Sequence, residues 1–405
     1  MDYDFLIVGA GIGGAVLANL LARAGRRVLI LERDPTPPSR PRPEGLWPAT
    51  ASFLQSLLPA EGGEAALAPL QGLTFHYRGR KIATISSDFF ARVGIQLWSS
   101  NGDRTRALLL QQASCEVRRG VEVVGLLKDG NRVRGVRARP TDGGAGAEFD
   151  VAARWTVGDD GGHSIVRREC GIAMDVRFAP MEALSFGLDW PLSLPAGTAH
   201  IWINPRRTRS GLPLLGVIWR PSGLAAGLIP VRPRVFEREG AVQEALDQFA
   251  AADSEVAAFL APRRFPADLA HLRLAWGHAA SYGIAGAVLI GDAAHVVTPA
   301  GGQGANAAIA DARALAEIAL SDESQLLAAY ERRRRPANER SMAPSRIFSR
   351  VLSLPDIVLF PWVPVLLRLP TWFPSLALRG LRYLSTAFLD EPPAGTSLNS
   401  TSQKL

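Results

Sequence analysis

The sequence predicts a mixed α/β chain with a Rossmann-like dinucleotide-binding domain, an inserted antiparallel-sheet domain and a C-terminal helical region. Three observations predict it. The chain opens on a short apolar run that ends in a GxGxxG turn. A second apolar run ends in a Gly-Asp turn near residue 291. Between the two lie short apolar segments separated by Pro and Gly. With 405 residues and 47% hydrophobic content, the chain has enough material for two domains and a substantial core.

The first element, Phe5-Leu6-Ile7-Val8, has the length and branching of a buried parallel strand. It runs into Gly9-Ala10-Gly11-Ile12-Gly13-Gly14 and a helical stretch that Gly25 closes. A second strand, Val28 to Leu31, ends on Glu32 and Arg33. In this arrangement Gly9 permits the tight turn, Gly11 lets a pyrophosphate approach the backbone, and Gly14 lets helix pack on strand. The helix N-terminus offers free amides and a positive dipole end to phosphate. Glu32, eighteen residues after Gly14, is placed to accept hydrogen bonds from adenosine ribose hydroxyls. This motif predicts a dinucleotide without separating FAD from NAD.

Far downstream, the strand Ala287–Ile290 leads into Gly291-Asp292-Ala293-Ala294-His295. Pro299-Ala300-Gly301-Gly302-Gln303-Gly304-Ala305-Asn306 and an Ala-rich helix follow. A carboxylate at a strand end suits a polyol hydroxyl, and a helix N-terminus behind a glycine turn suits an electron-rich group. The ribityl chain and the pyrimidine end of a reduced flavin match that pair, which points to FAD. A third strand and turn, Val157-Gly158-Asp159-Asp160-Gly161, sits between the two.

Bulk properties narrow the partners. The net charge of +7 and the sequence pI near 10 favour anionic ligands. The cations are scattered, with no basic stripe interleaved with aromatics, so nucleic acid is not expected. Cys115 and Cys170 form no CxxC pair, and the six histidines form no HxxxH group, so neither disulfide nor metal is expected. The opening Met-Asp-Tyr-Asp lacks the basic region of a secretory leader, and a cytoplasmic location is expected.

Together the three motifs, in this order and spacing, resemble the aromatic hydroxylase family of FAD monooxygenases, the p-hydroxybenzoate hydroxylase type. The likeness spans roughly the first 340 residues. It implies that Glu32 holds the ribose and that Asp160, rather than the neighbouring Asp159, serves FAD and NAD(P)H binding. It also implies that Asp292 holds the ribityl chain, and that Pro299 and the turn through Gly302, Gly304, Ala305 and Asn306 flank the isoalloxazine. Arg106, favoured over Arg104, is implied at the pyrophosphate. Arg42, in the Pro35–Pro43 loop, is the candidate on a segment that swings over the flavin. The activity implied is monooxygenation. NADH or NADPH reduces FAD, and O2 then yields a flavin hydroperoxide that hydroxylates an aromatic, polyketide or quinone-like substrate. Epoxidation or prenyl reduction of an apolar isoprenoid is the rival enzyme reading, and an inactive flavoprotein scaffold the non-enzyme one. A halogenase is disfavoured because the WxWxIP segment is absent.

On this reading residues 1–70, 104–175 and 275–340 form a discontinuous FAD domain, and 71–103 with 176–274 the substrate domain. Trp190, Trp202, Trp219, Trp276 and Tyr282 are candidates to line the substrate site, of which Trp202, Trp219 and Trp276 stand foremost. His295 is a candidate for a place near the flavin, with no catalytic acid or base assigned. The Arg332–Arg335 run before Pro336 reads as a solvated cluster at a helix end. Residues 341–390 read as helical. The apolar stretch Ile357–Leu367 is too short to span a bilayer; flanking arginines suit an interfacial membrane contact, and the alternative is helices packing on the FAD domain or on a second copy of the chain. Residues 391–405 read as a disordered tail.

Overall fold

The computed structural model describes residues 2–36, 44–142, 147–189, 194–203, 214–219, 221, 224–231, isolated positions from 234 to 257, and 270–391 save 353 and 355. Its strands form two eight-stranded sheets and one three-stranded sheet. The first large sheet has a parallel centre. Tyr3–Val8 lies between Phe149–Gly158 and Val28–Glu32, with Leu6 in register with Thr156 on one side and Leu29 on the other. Ala287–Leu289 and Glu116–Arg119 extend the parallel sheet on either side. Phe5, Leu6, Ile7, Leu29 and Ile30 are fully buried, as the unbroken apolar runs require for strands covered on both faces.

The helix Ile12–Arg23 covers this sheet and packs on the long helix Gln303–Ser321. Glycine makes that approach close. A Cβ at Gly13 would stand 3.3 Å from the carbonyl oxygen of Ala308. Gly9 has φ +99°, and a Cβ there would lie 2.4 Å from the carbonyl oxygen of Asp159, so the turn admits no side chain.

The second large sheet is antiparallel apart from one pair, Thr198–Ile203 against Gly72–Tyr77. Its centre is a sixteen-residue strand, Met174–Asp189, flanked by Leu224–Val231 and Ala270–Ala279. The two-residue strand His295–Val296 closes one edge by pairing with Gly277 and His278. The segment that follows Asp292 is thereby hydrogen-bonded into the second sheet.

The Arg332–Arg335 expectation is corrected. Helix Leu326–Ser341 runs through Pro336, and Arg334 is fully buried rather than solvated. Its guanidinium binds Asp311 at 2.7 Å and also the Asp390 carboxylate, the Phe388 carbonyl and Asn338. A buried cation survives only with such a set of partners. Three further helices follow, Ala343–Leu352, Asp356–Trp372 and Pro374–Thr386, and the middle one continues through Pro361 and Pro364. Among the described residues no helix is long and apolar enough to cross a membrane.

Candidate active site

Three turns separated by up to 280 residues of sequence converge on one point. Asp159 follows the strand Phe149–Gly158, and its amide donates to the Val8 carbonyl. Its carboxylate reaches under the first glycine turn and accepts from the Gly14 amide at 2.7 Å. A Cβ placed on Gly11, Gly13 or Gly291 would meet that same carboxylate at 2.4, 3.0 and 3.3 Å. Asp292 and Arg106 both lie close enough to act on it electrostatically. The resemblance implied that Asp160 serves FAD and NAD(P)H binding. The structure places Asp160 elsewhere: its carboxylate caps the helix Ile165–Glu169, accepting from the amides of Ile165 and Val166 at 2.7 and 3.1 Å. Burial pushes that carboxyl up while these bonds pull it back.

The remaining candidates divide by position. Ile12 begins the first helix, whose opening amides have no carbonyl behind them within the helix. Glu32 accepts from the Ala10 amide at 2.7 Å and from the Asp34 amide at 2.8 Å, which fixes its carboxylate beside the glycine turn. Arg33 points outward, its side chain 71% exposed and 3.8 Å from Asp34. Arg106 bonds to Asp103 and lies 4.0 Å from Glu44 with a side chain only 19% exposed. Arg104 instead turns toward a separate cleft lined by Glu61 and Glu64. Leu109, three residues after Arg106, is fully buried and anchors the helix that presents it. Arg42 lies outside the described residues.

In the third motif the Asp292 side chain is exposed while Gly291, Ala293 and Ala294 on either side are buried. Pro299 is exposed, and Gly301 and Gly302 both take left-handed backbone, with φ of 72° and 62°. Gly302 is the N-cap of helix Gln303–Ser321, and Gly304 and Ala305 lie part-exposed on its first turn. Asn306 is buried. Its side chain accepts from the Trp47 amide at 3.0 Å and donates to the Gly45 and Gly302 carbonyls. Trp47 Nε1 donates in turn to the Gly301 carbonyl at 3.0 Å. The glycine turn is therefore held open from below by two side chains.

His295 is buried and gives Nε2 to Asp311 at 2.6 Å. Asp311 also takes the Gly291 amide and the Arg334 and Asn338 side chains. This network was missed from sequence. Its signal was a lone acid on the buried face of an Ala-rich helix, a group that needs cationic partners.

Of the substrate candidates, Trp202 is corrected. It is 1% exposed and stacked on His76 and His200 at ring distances of 4.9 and 5.4 Å, a core position. Trp219 and Trp276 are half-buried. Trp276 faces a cleft of about 670 Å³ that His278, Arg177, Arg346 and Arg350 also line. Tyr282 is buried and bonds His278 through its hydroxyl at 2.9 Å. Trp190 lies outside the described residues.

The residues present fit FAD. A carboxylate is fixed at the end of the second strand, a half-buried arginine lies beside the glycine turn, and an exposed carboxylate precedes a glycine-capped helix. The comparisons agree. Residues 2–345 match the family model described as FAD binding domain. The chain belongs to this family, as a flavin-dependent monooxygenase. It is 31% identical over 356 residues to the 12-dehydrotetracycline 5-monooxygenase/anhydrotetracycline 6-monooxygenase of Streptomyces rimosus, covering 83% of this chain and 67% of that one. It is 29% identical to the aklavinone 12-hydroxylase of Streptomyces purpurascens, covering 97% and 76%. A third relative, the 3-(3-hydroxy-phenyl)propionate/3-hydroxycinnamic acid hydroxylase of Comamonas testosteroni, is 29% identical, and the chain spans 56% of its length. Among solved structures, p-nitrophenol 4-monooxygenase from Pseudomonas putida superposes with a TM-score of 0.76 over 95% of this chain and 98% of that one. At 20% identity it speaks for the fold alone.

Proposed function

We propose that the protein hydroxylates an aromatic polyketide or related fused-ring phenol or quinone, drawing electrons from NADH or NADPH and one oxygen atom from O2. The observation that carries this is the path of residues 291–302. The segment leaves the exposed Asp292, pairs into the second sheet through His295 and Val296, and returns as the Gly301–Gly302 turn. A flavin held by Asp292 and that turn would lie against the sheet proposed to carry the substrate. The tetracycline and aklavinone hydroxylases among the relatives support the substrate class.

In this reading Glu32 takes the adenosine ribose, and the amides of Gly11 to Gly13 with Arg106 take the diphosphate. Asp292 takes the ribityl hydroxyls, and the N-terminal end of helix Gln303–Ser321 faces the pyrimidine edge. Bound FAD supplies the redox and oxygen chemistry. The chain's own part is to orient the substrate and keep water from the reacting atoms. The test is NAD(P)H oxidation and O2 uptake by FAD-loaded protein with phenols, fused-ring quinones and isoprenoids, run under labelled O2. Product heavier by one labelled oxygen supports the proposal. Product heavier by hydrogen alone replaces it with the reductase reading, and flavin bound without turnover on any compound counts against it.

The outward face of the C-terminal helices is read as a contact for an anionic membrane surface. Between residues 343 and 386 stand five arginines and one acid, Asp356. Trp362, Trp372, Phe373 and Leu376 are each more than half exposed there.

A further inference from the structure

The glycine fingerprint leaves space beside Gly11 so that a diphosphate can approach bare backbone. In this chain that space already holds an acid. Asp159 Oδ2 accepts from the Gly14 amide at 2.7 Å and lies 2.4 Å from where a Gly11 Cβ would stand, while Oδ1, the oxygen left over, lies 3.5 Å from that point. Oδ1 would lie 3.0 Å from a Cβ on Gly13 and 3.3 Å from one on Gly291, so it sits where the first and third motifs meet. Asp159 as a residue is part-buried.

From this placement we infer that Asp159 joins cofactor binding as a neutral carboxylic acid. One oxygen keeps the Gly14 amide and the hydroxyl donates to the diphosphate, so that loading FAD consumes a proton at any pH where the free carboxyl is ionised. The inference rests on the FAD cradle proposed above. An ionised carboxylate there would face two phosphate charges at contact range, with no donor to offer them. The surroundings favour the neutral form. Burial pushes the carboxyl well above its usual range, and the bond from the Gly14 amide pulls it back. Asp160 from the same turn and Asp292 from the third motif add negative charge, and Arg106 from the helix Gly102–Ala113 opposes them. The first helix meets the carboxylate with the Gly14 amide.

The test is FAD binding to the apoprotein, followed by flavin fluorescence from pH 6 to 9 and by calorimetry in buffers of different ionisation heat. Wild type is expected to weaken by up to tenfold per pH unit toward the alkaline end and to take up close to one proton per FAD there. Asp159→Asn, whose amide still donates, is expected to bind FAD with no pH slope. Asp159→Ala is expected to lose the slope and to bind more tightly than wild type at pH 9. A slope unchanged in Asp159→Asn, or wild-type binding flat from pH 6 to 9 without proton uptake, would overturn the inference. Wild type that binds no FAD at all would overturn the cradle reading beneath it. Because the proton count is made on wild type, a poorly folding alanine variant does not blunt the test.

Discussion

The imidazole Nε2 of His295 and a carboxylate oxygen of Asp311 stand 2.6 Å apart, both side chains 1% exposed or less. That oxygen also receives the Gly291 amide at 3.0 Å, so the contact braces the turn that presents Asp292. Burial alone would raise the Asp311 carboxyl, but the His295 ring and the Arg334 guanidinium more than offset it and hold it below its usual range. Removing the carboxylate in Asp311→Ala leaves Arg334 without its fully buried carboxylate partner. The expected cost is about 3–5 kcal/mol of unfolding free energy, measured by urea denaturation. A loss below about 1 kcal/mol would show that water takes over the role.

Two histidines predict a pH dependence of stability. Burial, with His76 and Lys81 nearby, lowers His200 to about 4. Burial, with His295 and Arg335, lowers His278 to about 4. Both rings are then neutral in the folded chain and take a proton more readily when unfolded. Between pH 6.5 and 4 the unfolded state binds more protons, so stability falls as pH falls through that window and is unaffected by these groups above it. Melting temperature followed from pH 7.5 to 4.5 should decline only below about 6.5. Replacing His200 and His278 by Gln should flatten the decline.

Arg106 and Arg104 lie two residues apart yet point to different places. Arg106→Ala should weaken FAD binding by roughly ten- to hundredfold, the range of a lost charge-assisted hydrogen bond. Arg104→Ala, beside Glu61 and Glu64, should leave it unchanged. Equal effects from both, measured by equilibrium dialysis, would remove the assignment.

Trp202 and Trp276 should separate stability from specificity. Trp202→Ala opens a cavity in the His76–His200 stack and is expected to cost about 3–5 kcal/mol. Trp276→Ala, at a half-buried wall, should cost less stability and alter KM for large substrates, read by steady-state kinetics. The reverse pattern would exchange their roles.

The exposed aromatic face makes a prediction about partners. The protein should sediment with vesicles containing phosphatidylglycerol, less so with pure phosphatidylcholine or in high salt. Trp362→Ser combined with Trp372→Ser should abolish it. Concentration-dependent self-association without vesicle binding, seen by analytical ultracentrifugation, would assign the face to a second copy of the chain.

The parallel sheet was legible because its strands are unbroken apolar runs ending in glycine turns, a pattern that local sequence carries in full. The antiparallel strands from Thr198 to Val231 were legible for a similar reason, since Pro and Gly bound each one. Which of Asp159 and Asp160 lies under the first glycine turn was not. Two adjacent acids differ only in which way the backbone turns after Gly158, and that depends on a strand 150 residues earlier. Arg334 was misread because a four-arginine run resembles a solvated face, and nothing local reports that Asp311 and Asp390 wait on either side of it.

Gln303, at the opening of the flavin-facing helix, donates to the Leu384 carbonyl, and Arg334 is closed over by Phe388 and Asp390. These partners lie some forty residues past the end of the matched FAD-binding model, at residue 345. The FAD-binding module and the cooperative unit thus have different edges. A chain cut at residue 345 would keep all three glycine motifs and lose the residues that lock two of its buried polar groups.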